Sequence, residues 1–93
     1  MNDIKEILEE REKNYGSFEK FANIMSDFQS TMAANRAQSW KPYQRESMHM
    51  IFHKITRIIN GDPEYIDSWQ DIAGYAQLVV DILEEKSLKE ESK

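Results

Sequence analysis

Apolar residues recur along this chain at spacings of three and four, and no segment alternates as a half-buried strand would. That period puts the apolar side chains of a segment on one face of an α-helix. The clearest stripe lies in the first half of the chain: Phe18, Phe21, Met25, Phe28 and Met32. The pattern predicts an all-α fold.

Breaks in the period divide the chain into a compact arrangement of four helices, of which the two central ones are long. The first helix ends before Gly16, which suits a left-handed stop, and Ser17 can cap the second. Pro42 opens the third helix, which Gly61 stops. The fourth spans about residues 66–85.

The length of 93 residues predicts one domain, over residues 1–86, followed by a charged and frayed tail at 87–93. The chain has no cysteine, so disulfides and thiolate metal sites are excluded. The first residues are charged, and no apolar run approaches the roughly 20 residues that span a bilayer. We expect a cytoplasmic protein that does not contact a membrane.

The formal net charge of −5 disfavours nucleic acid as a partner, because such binding depends on a basic surface. The charge is uneven. Residues 41–60 carry a local +3, whereas residues 61–93 carry a local −6. Two explanations are open: the two segments pair as helices, or they line a pocket with both signs.

The fourth helix is apolar on two sides. One broad face carries Ile66, Trp69, Ile72, Ala73, Ala76, Val79, Val80 and Leu83. The opposite side carries Tyr75, Leu78 and Ile82, in line with two acids and a glycine. A helix with two apolar sides is buried on both, so we expect a homodimer or a higher oligomer. The alternative is a monomer that wraps this helix completely.

Two acids near the start of the fourth helix, Asp67 and Asp71, are candidate functional residues. One interpretation is structural: Ser68 caps the helix, Asp71 reaches back to it, and Asp67 favours the positive end of the helix dipole. The other is a ligand pocket, because both acids share a face with Gly74 and Tyr75. Mid-helix glycine costs roughly 1 kcal/mol relative to alanine, so something could approach closely there.

Cations on the third helix are the natural partners of these acids. Lys54 and Arg57 can pair with them or bind a phosphate. His49 and His53, four residues apart, could share a metal, but no glutamate completes an H-E-x-x-H arrangement. Neither a Walker loop nor a nucleophile elbow is present in the sequence.

The segments REKNYG (11–16), HKITRIINGD (53–62) and DSWQDIAGYAQLV (67–79) resemble a family of small phage and prophage helical proteins of unassigned function. These in turn are similar to nucleotide-modification-associated domains, and more remotely to MazG-like nucleotide pyrophosphohydrolases. The MazG likeness implies a Mg²⁺ site for a nucleoside triphosphate, with Asp67, Asp71 and Glu46 as the metal ligands. The sequence departs from that pattern, because Lys54 and Arg57 stand where further acids are needed.

We therefore predict a phage-type, non-catalytic protein that binds a phosphate-bearing small molecule, most naturally a nucleotide, without a cofactor. Sequestration of a nucleotide signal used in antiviral defence would fit this role. The predicted ligand-binding residues are Lys54, Arg57, Asp67, Asp71, Tyr75 and Tyr15. Two alternatives stay open: a Mg²⁺-dependent nucleotide pyrophosphohydrolase, and an acidic inhibitor of a host defence protein.

Overall fold

Four α-helices joined by short connections make up the computed structural model, which describes residues 3–91. They are α1 (Asp3–Tyr15), α2 (Phe18–Ala34), α3 (Pro42–Asn60) and α4 (Ile66–Glu91), with a 3₁₀ turn (Ala37–Ser39) between α2 and α3. No strand occurs within the described residues. The predicted all-α fold and the number of helices are confirmed.

The end of α1 and the starts of α2 and α3 fall where the capping signals place them. Gly16 has a φ of +79° and lies just beyond the end of α1. The Ser17 hydroxyl accepts a hydrogen bond from the Lys20 amide at 3.5 Å, so the predicted N-cap of α2 is confirmed. Pro42 is the first residue of α3, and Gly61 follows its last turn.

Helix α4 begins at Ile66, as predicted, but it ends later than predicted. Because Ser68 is the third residue of the helix, the interpretation in which Ser68 caps it and Asp71 reaches back is wrong. The turn before α4 is held by the Asp62 carboxylate, which accepts from the Glu64 amide at 2.9 Å. At the other end α4 runs to Glu91, past the predicted end at 85, through residues of good helix propensity.

Helix α3 is central, with α2 and α4 packed against it. Between α2 and α3 the rings of Phe28 and Phe52 stack with centroids 4.2 Å apart. Thr56 is fully buried beside them, and its hydroxyl lies 2.7 Å from the Phe52 carbonyl and 3.3 Å from the Met25 sulfur. This small cluster forms the core between α2 and α3.

The chain is elongated and exposes much surface for its size. Its extents are 61 × 28 × 25 Å, and its radius of gyration is 16.8 Å, against about 12 Å for a typical domain of this length. The accessible surface is 7240 Å², whereas a folded monomer of this mass exposes about 5,600 Å². The single chain is therefore less self-enclosed than an ordinary small domain.

The additional exposed surface includes one side of α4. The half-buried or buried residues on this helix form a single strip toward α3: Ser68, Ile72, Tyr75, Val79 and Ile82. Most of the broad apolar face instead remains exposed, including Trp69, Val80 and Leu83. Two apolar sides were expected. The structure places Tyr75 and Ile82 toward α3 and leaves the Trp69 side uncovered.

Candidate functional site

The turn between α1 and α2 is fastened to the end of α3. The Asn60 side-chain amide donates to the backbone carbonyl of Tyr15 at 3.2 Å and to that of Ser17 at 2.8 Å. Gly16, between them, packs so tightly that an added Cβ would overlap the Asn60 carbonyl. Since residues 3–13 of α1 are exposed, this fastening sets where the helix lies.

A cavity of about 520 Å³ opens between α1, the start of α2 and α3. Its lining residues are Leu8, Arg11, Glu12, Tyr15, Gly16, Phe18, Phe21, His53 and Arg57. The volume lies within the range of roughly 300–1,000 Å³ that is usual for small-molecule sites. We refer to this cavity as the α1–α3 pocket.

Two arginines line the α1–α3 pocket without an acidic partner among residues 3–91. The Arg57 guanidinium lies 4.2 Å from the centroid of the Tyr15 ring, in a cation–π contact. Arg11 lies one helical turn before Tyr15, on the same face of α1. Neither arginine has an ion pair with a carboxylate among residues 3–91. Their donors are available to an anionic ligand.

Asp67 is connected to this pocket through Tyr65. The Tyr15 and Tyr65 rings lie 5.8 Å apart. Hydrogen bonding to Tyr15, and then to Asp67, raises the pKa of Tyr65 above its usual value of 10.0. Arg57, Tyr15, Tyr65 and Asp67 thus form a line from α3 across the end of α1 to the first turn of α4. Asp67 also stands where it favours the helix dipole, as predicted.

His53 forms the inner wall of the pocket. Its ring packs edge-on against Phe21, with centroids 4.8 Å apart, and its buried Nδ1 has no hydrogen-bond partner among the described residues. Burial, and then the nearby charges of Arg57, Lys54 and His49, lower the pKa of His53 from 6.5 to about 4. The imidazole is therefore neutral at pH 7 and can hydrogen-bond to a ligand.

Acid is expected to destabilise the fold through His53. Between pH 6.5 and about 4 the unfolded chain binds a proton at this histidine more readily than the folded protein does. The free energy of unfolding is therefore unaffected by His53 above pH 6.5 and falls as pH drops toward 4. Denaturation at a series of pH values should show a steeper fall for the wild type than for His53→Gln. The carboxylates, including Glu12 across the pocket, are common to both proteins. Parallel curves of stability against pH for the two proteins would contradict the role assigned to His53.

Lys54 and Asp71 lie apart from the pocket and bind each other. The Lys54 ammonium is 3.0 Å from the Asp71 carboxylate, with side-chain exposures of 12% and 47%. The structure thus joins one predicted cation to one predicted acid. Arg57 stacks on Tyr15 instead of pairing with an acid.

Tyr75 lies apart from both the α1–α3 pocket and the Lys54–Asp71 ion pair. With Gln70, Asp71, Gly74 and Leu78 it lines a shallow groove of about 360 Å³ along α4. Within the chain, a Cβ added at Gly74 would meet nothing within 4 Å. The structure therefore separates Tyr75 from Tyr15 and Arg57, although the sequence grouped all three in one ligand site.

Magnesium does not fit the residues that the structure brings together. No group of three or more His, Asp or Glu side chains among residues 3–91 is arranged to hold a metal ion. Asp71 is bound to Lys54, whereas Asp67 faces Tyr65. Glu46 precedes Lys54 by eight residues on α3, which corresponds to about 12 Å along the helix.

Sequence reasoning missed Arg11 and Phe21 as pocket residues and considered His53 only as a metal ligand. A signal for Arg11 was present. Arg11 and Tyr15 are four residues apart, as expected for two side chains that serve one site on a helix. Phe21 was assigned to the apolar stripe of α2, and nothing local distinguishes a stripe residue that lines a cavity.

The fold and the site define an all-α protein with an arginine-bearing, aromatic-walled pocket at the junction of three helices. The chain belongs to the family described as a domain of unknown function, DUF6378, whose family model matches residues 1–83. No curated protein and no solved structure matches the chain. No helix within residues 3–91 combines the length and apolar character needed to cross a bilayer.

Proposed function

We propose that the chain is a phage-type, non-catalytic binding protein for a phosphate-bearing small molecule, most naturally a nucleotide, which it takes up in the α1–α3 pocket in the host cytoplasm. The observation that carries the proposal is the pair Arg11 and Arg57, two guanidinium groups that line one cavity without a carboxylate partner among the described residues. Guanidinium groups bind phosphate oxygens in a planar, bidentate fashion.

The walls of the pocket support a ligand that carries a ring as well as a phosphate. Tyr15, Phe18 and Phe21 supply aromatic faces or edges, and Phe18 is 81% exposed although it is apolar. Stacking on an aromatic side chain contributes about 1–3 kcal/mol per base. Neutral His53 and anionic Glu12 add hydrogen-bonding groups that could read the edge of a base or a ribose.

The roles proposed for the six predicted residues change with this geometry. Arg57 and Tyr15 contact the ligand, and Asp67 orients Tyr15 through Tyr65. Lys54 and Asp71 hold α3 against α4. Tyr75 packs on the α3 side of α4. Sequestration of a nucleotide signal used in antiviral defence remains the use that we propose for such a binder.

Arg57→Gln is expected to weaken nucleotide binding by tenfold to a hundredfold. A hydrogen bond to a charged group contributes about 1.5–3 kcal/mol, and glutamine keeps much of the bulk without the charge. Native mass spectrometry of freshly purified protein would first reveal any co-purified nucleotide. Thermal-shift measurements with linear and cyclic nucleotides in EDTA would follow, since a hundredfold excess over Kd stabilises by about 2.7 kcal/mol.

Arg36→Gln is the matched control, because Arg36 is exposed beyond the far end of α2 and does not line the pocket. Its response to nucleotide should equal that of the wild type. Failure of every nucleotide to stabilise the wild type would exclude the proposal. Mg²⁺-dependent release of pyrophosphate would favour the hydrolase instead. Salt-sensitive capture of one host protein, unaffected by Lys54→Ala and Arg57→Ala, would favour an acidic inhibitor.

The second part of the proposal is that the chain works as a homodimer or a higher oligomer. Its accessible surface and radius of gyration both exceed the values expected for a folded monomer of this size. Large apolar side chains are exposed on α1 and α4, including Ile4, Leu8 and Trp69. A second copy of the chain would cover such surfaces.

A further inference from the structure

One stripe of α4 has the spacing of a helix–helix seam, but no other helix covers it among residues 3–91. Trp69, Ala73, Ala76, Val80 and Leu83 follow one another at intervals of four, three, four and three. All five are exposed, with Trp69 at 53% and Leu83 at 45%. Apolar residues in this heptad rhythm occur where two helices pack side by side. We call these five residues the α4 seam.

The α4 seam is free of charge, although the helix is rich in acids. At 100° per residue, Asp67, Asp71, Asp81 and Glu85 fall on the other side of α4, and Glu84 lies at the edge of the seam beside Leu83. Beside the seam lies an apolar groove of about 410 Å³, lined by residues that include Trp40, Met48, Ile51, Ala76 and Val79. The seam and this groove together form a continuous apolar surface along α3 and α4.

We infer that the α4 seam binds the α4 seam of a second copy, with the two helices antiparallel about a two-fold axis near Ala76. The order of side-chain sizes along the seam favours the antiparallel arrangement. An antiparallel pair places Trp69 opposite Leu83 and Ala73 opposite Val80, with Ala76 facing its own copy. Trp69 then meets the smaller Leu83, Val80 meets Ala73, and alanine at the centre lets the backbones approach closely. A two-fold contact uses the same patch on both copies.

A parallel pair would fit less well. It would set Trp69 against Trp69 at one end and leave two successive alanine layers behind it, so the bulky rings would hold open a gap that alanine cannot fill. The exposed area of the chain is also large enough for such an interface. The chain exposes 7240 Å², about 1,600 Å² more than a monomer of its mass, whereas a standard interface buries about 800 Å² per partner.

This inference rests on the proposed homo-oligomer and is independent of the nucleotide. Because the chain has no cysteine, each single substitution supplies one thiol. On mild oxidation of the full chain, Ala76→Cys is expected to crosslink to itself, since a disulfide needs Cα atoms roughly 4.4–6.8 Å apart. Ala73→Cys alone should not crosslink, but an equal mixture of Ala73→Cys and Val80→Cys should give a mixed dimer.

Other crosslinking results would overturn the seam in distinct ways. Self-crosslinking of Ala73→Cys as readily as Ala76→Cys would indicate parallel helices. No crosslinking by any variant, with an oligomeric mass by light scattering, would mean that another surface, such as α1, covers this one. A mass of one copy at all concentrations would overturn both the seam and the homo-oligomer, while the nucleotide tests could still succeed.

A charge placed in the seam supplies an independent test. Val80→Glu should reduce the mass in solution to that of one chain, while helicity by circular dichroism is retained because Val80 is exposed within the chain. Gln70→Glu is the matched control: it makes the same change of charge on α4, outside the seam, and should leave the assembly intact. Equal masses for the two variants would contradict the inference.

Discussion

Gly16→Ala is expected to lower the free energy of unfolding by about 2–4 kcal/mol, which is a large fraction of the stability of a small domain. Gly16 has a φ of +79°, in the left-handed region that disfavours residues with a Cβ. The added methyl would also overlap the backbone carbonyl of Asn60. Backbone cannot rotate aside as a flexible side chain can, so the turn must move away from α3.

Urea denaturation of the variant and the wild type, at one fixed protein concentration, would measure the loss of stability. Gly74→Ala is the matched control, since its Cβ enters open space and alanine favours a helix interior by roughly 1 kcal/mol. It should be neutral or stabilising. Because Gly16 lines the α1–α3 pocket, the same variant should also weaken nucleotide binding. A Gly16→Ala protein as stable as the wild type would mean that the turn is not fastened to α3 as described.

Asp71→Asn is expected to cost about 1–3 kcal/mol without affecting the nucleotide response. The substitution leaves the Lys54 ammonium, whose side chain is only 12% exposed, without its countercharge. Loss of one partner from a buried pair costs about 3–5 kcal/mol, and the smaller figure allows for solvent reaching Asp71. Chemical denaturation and thermal shift with nucleotide would separate stability from binding.

Lys54→Met combined with Asp71→Asn should recover much of the loss, because no unpaired charge then remains. Asp67→Asn is a useful comparison, since Asp67 is exposed and has no ion pair among residues 3–91. An Asp71→Asn protein of normal stability that no longer responds to nucleotide would reverse the assignment and make Asp71 a ligand-binding residue.

Most of the helix pattern could be predicted because its causes are local. Capping by Ser17, the positive φ at Gly16 and the fixed φ of Pro42 each act within a few residues of their own position. The start of α4 at Ile66 agrees with the prediction, but Ser68, which resembled a cap, lies inside the helix. The turn before α4 is held by the Asp62 carboxylate and by the Trp69 indole, which donates to the Pro63 carbonyl at 2.8 Å.

Of the contacts among the predicted site residues, some follow from local sequence and others depend on tertiary structure. Lys54 and Asp71 could be paired from charge and helix register, and Arg57 could be chosen as a cation near the same turn. The position of α1 could not be predicted, since it depends on the Asn60 amide reaching two carbonyls more than forty residues away in sequence. Periodicity likewise reveals that α4 has two apolar sides but not which of them α3 will cover.

The exposed first helix has a thermodynamic consequence for whatever occupies the pocket. Residues 3–13 of α1 are exposed, and the helix is fastened to α3 at the Tyr15–Ser17 turn. A ligand that contacts both Arg11 and Arg57 bridges a loosely held helix to a rigid one, so the entropy of immobilising α1 is subtracted from its affinity. By linkage, substitutions that strengthen α1 as a helix would tighten binding without touching the ligand.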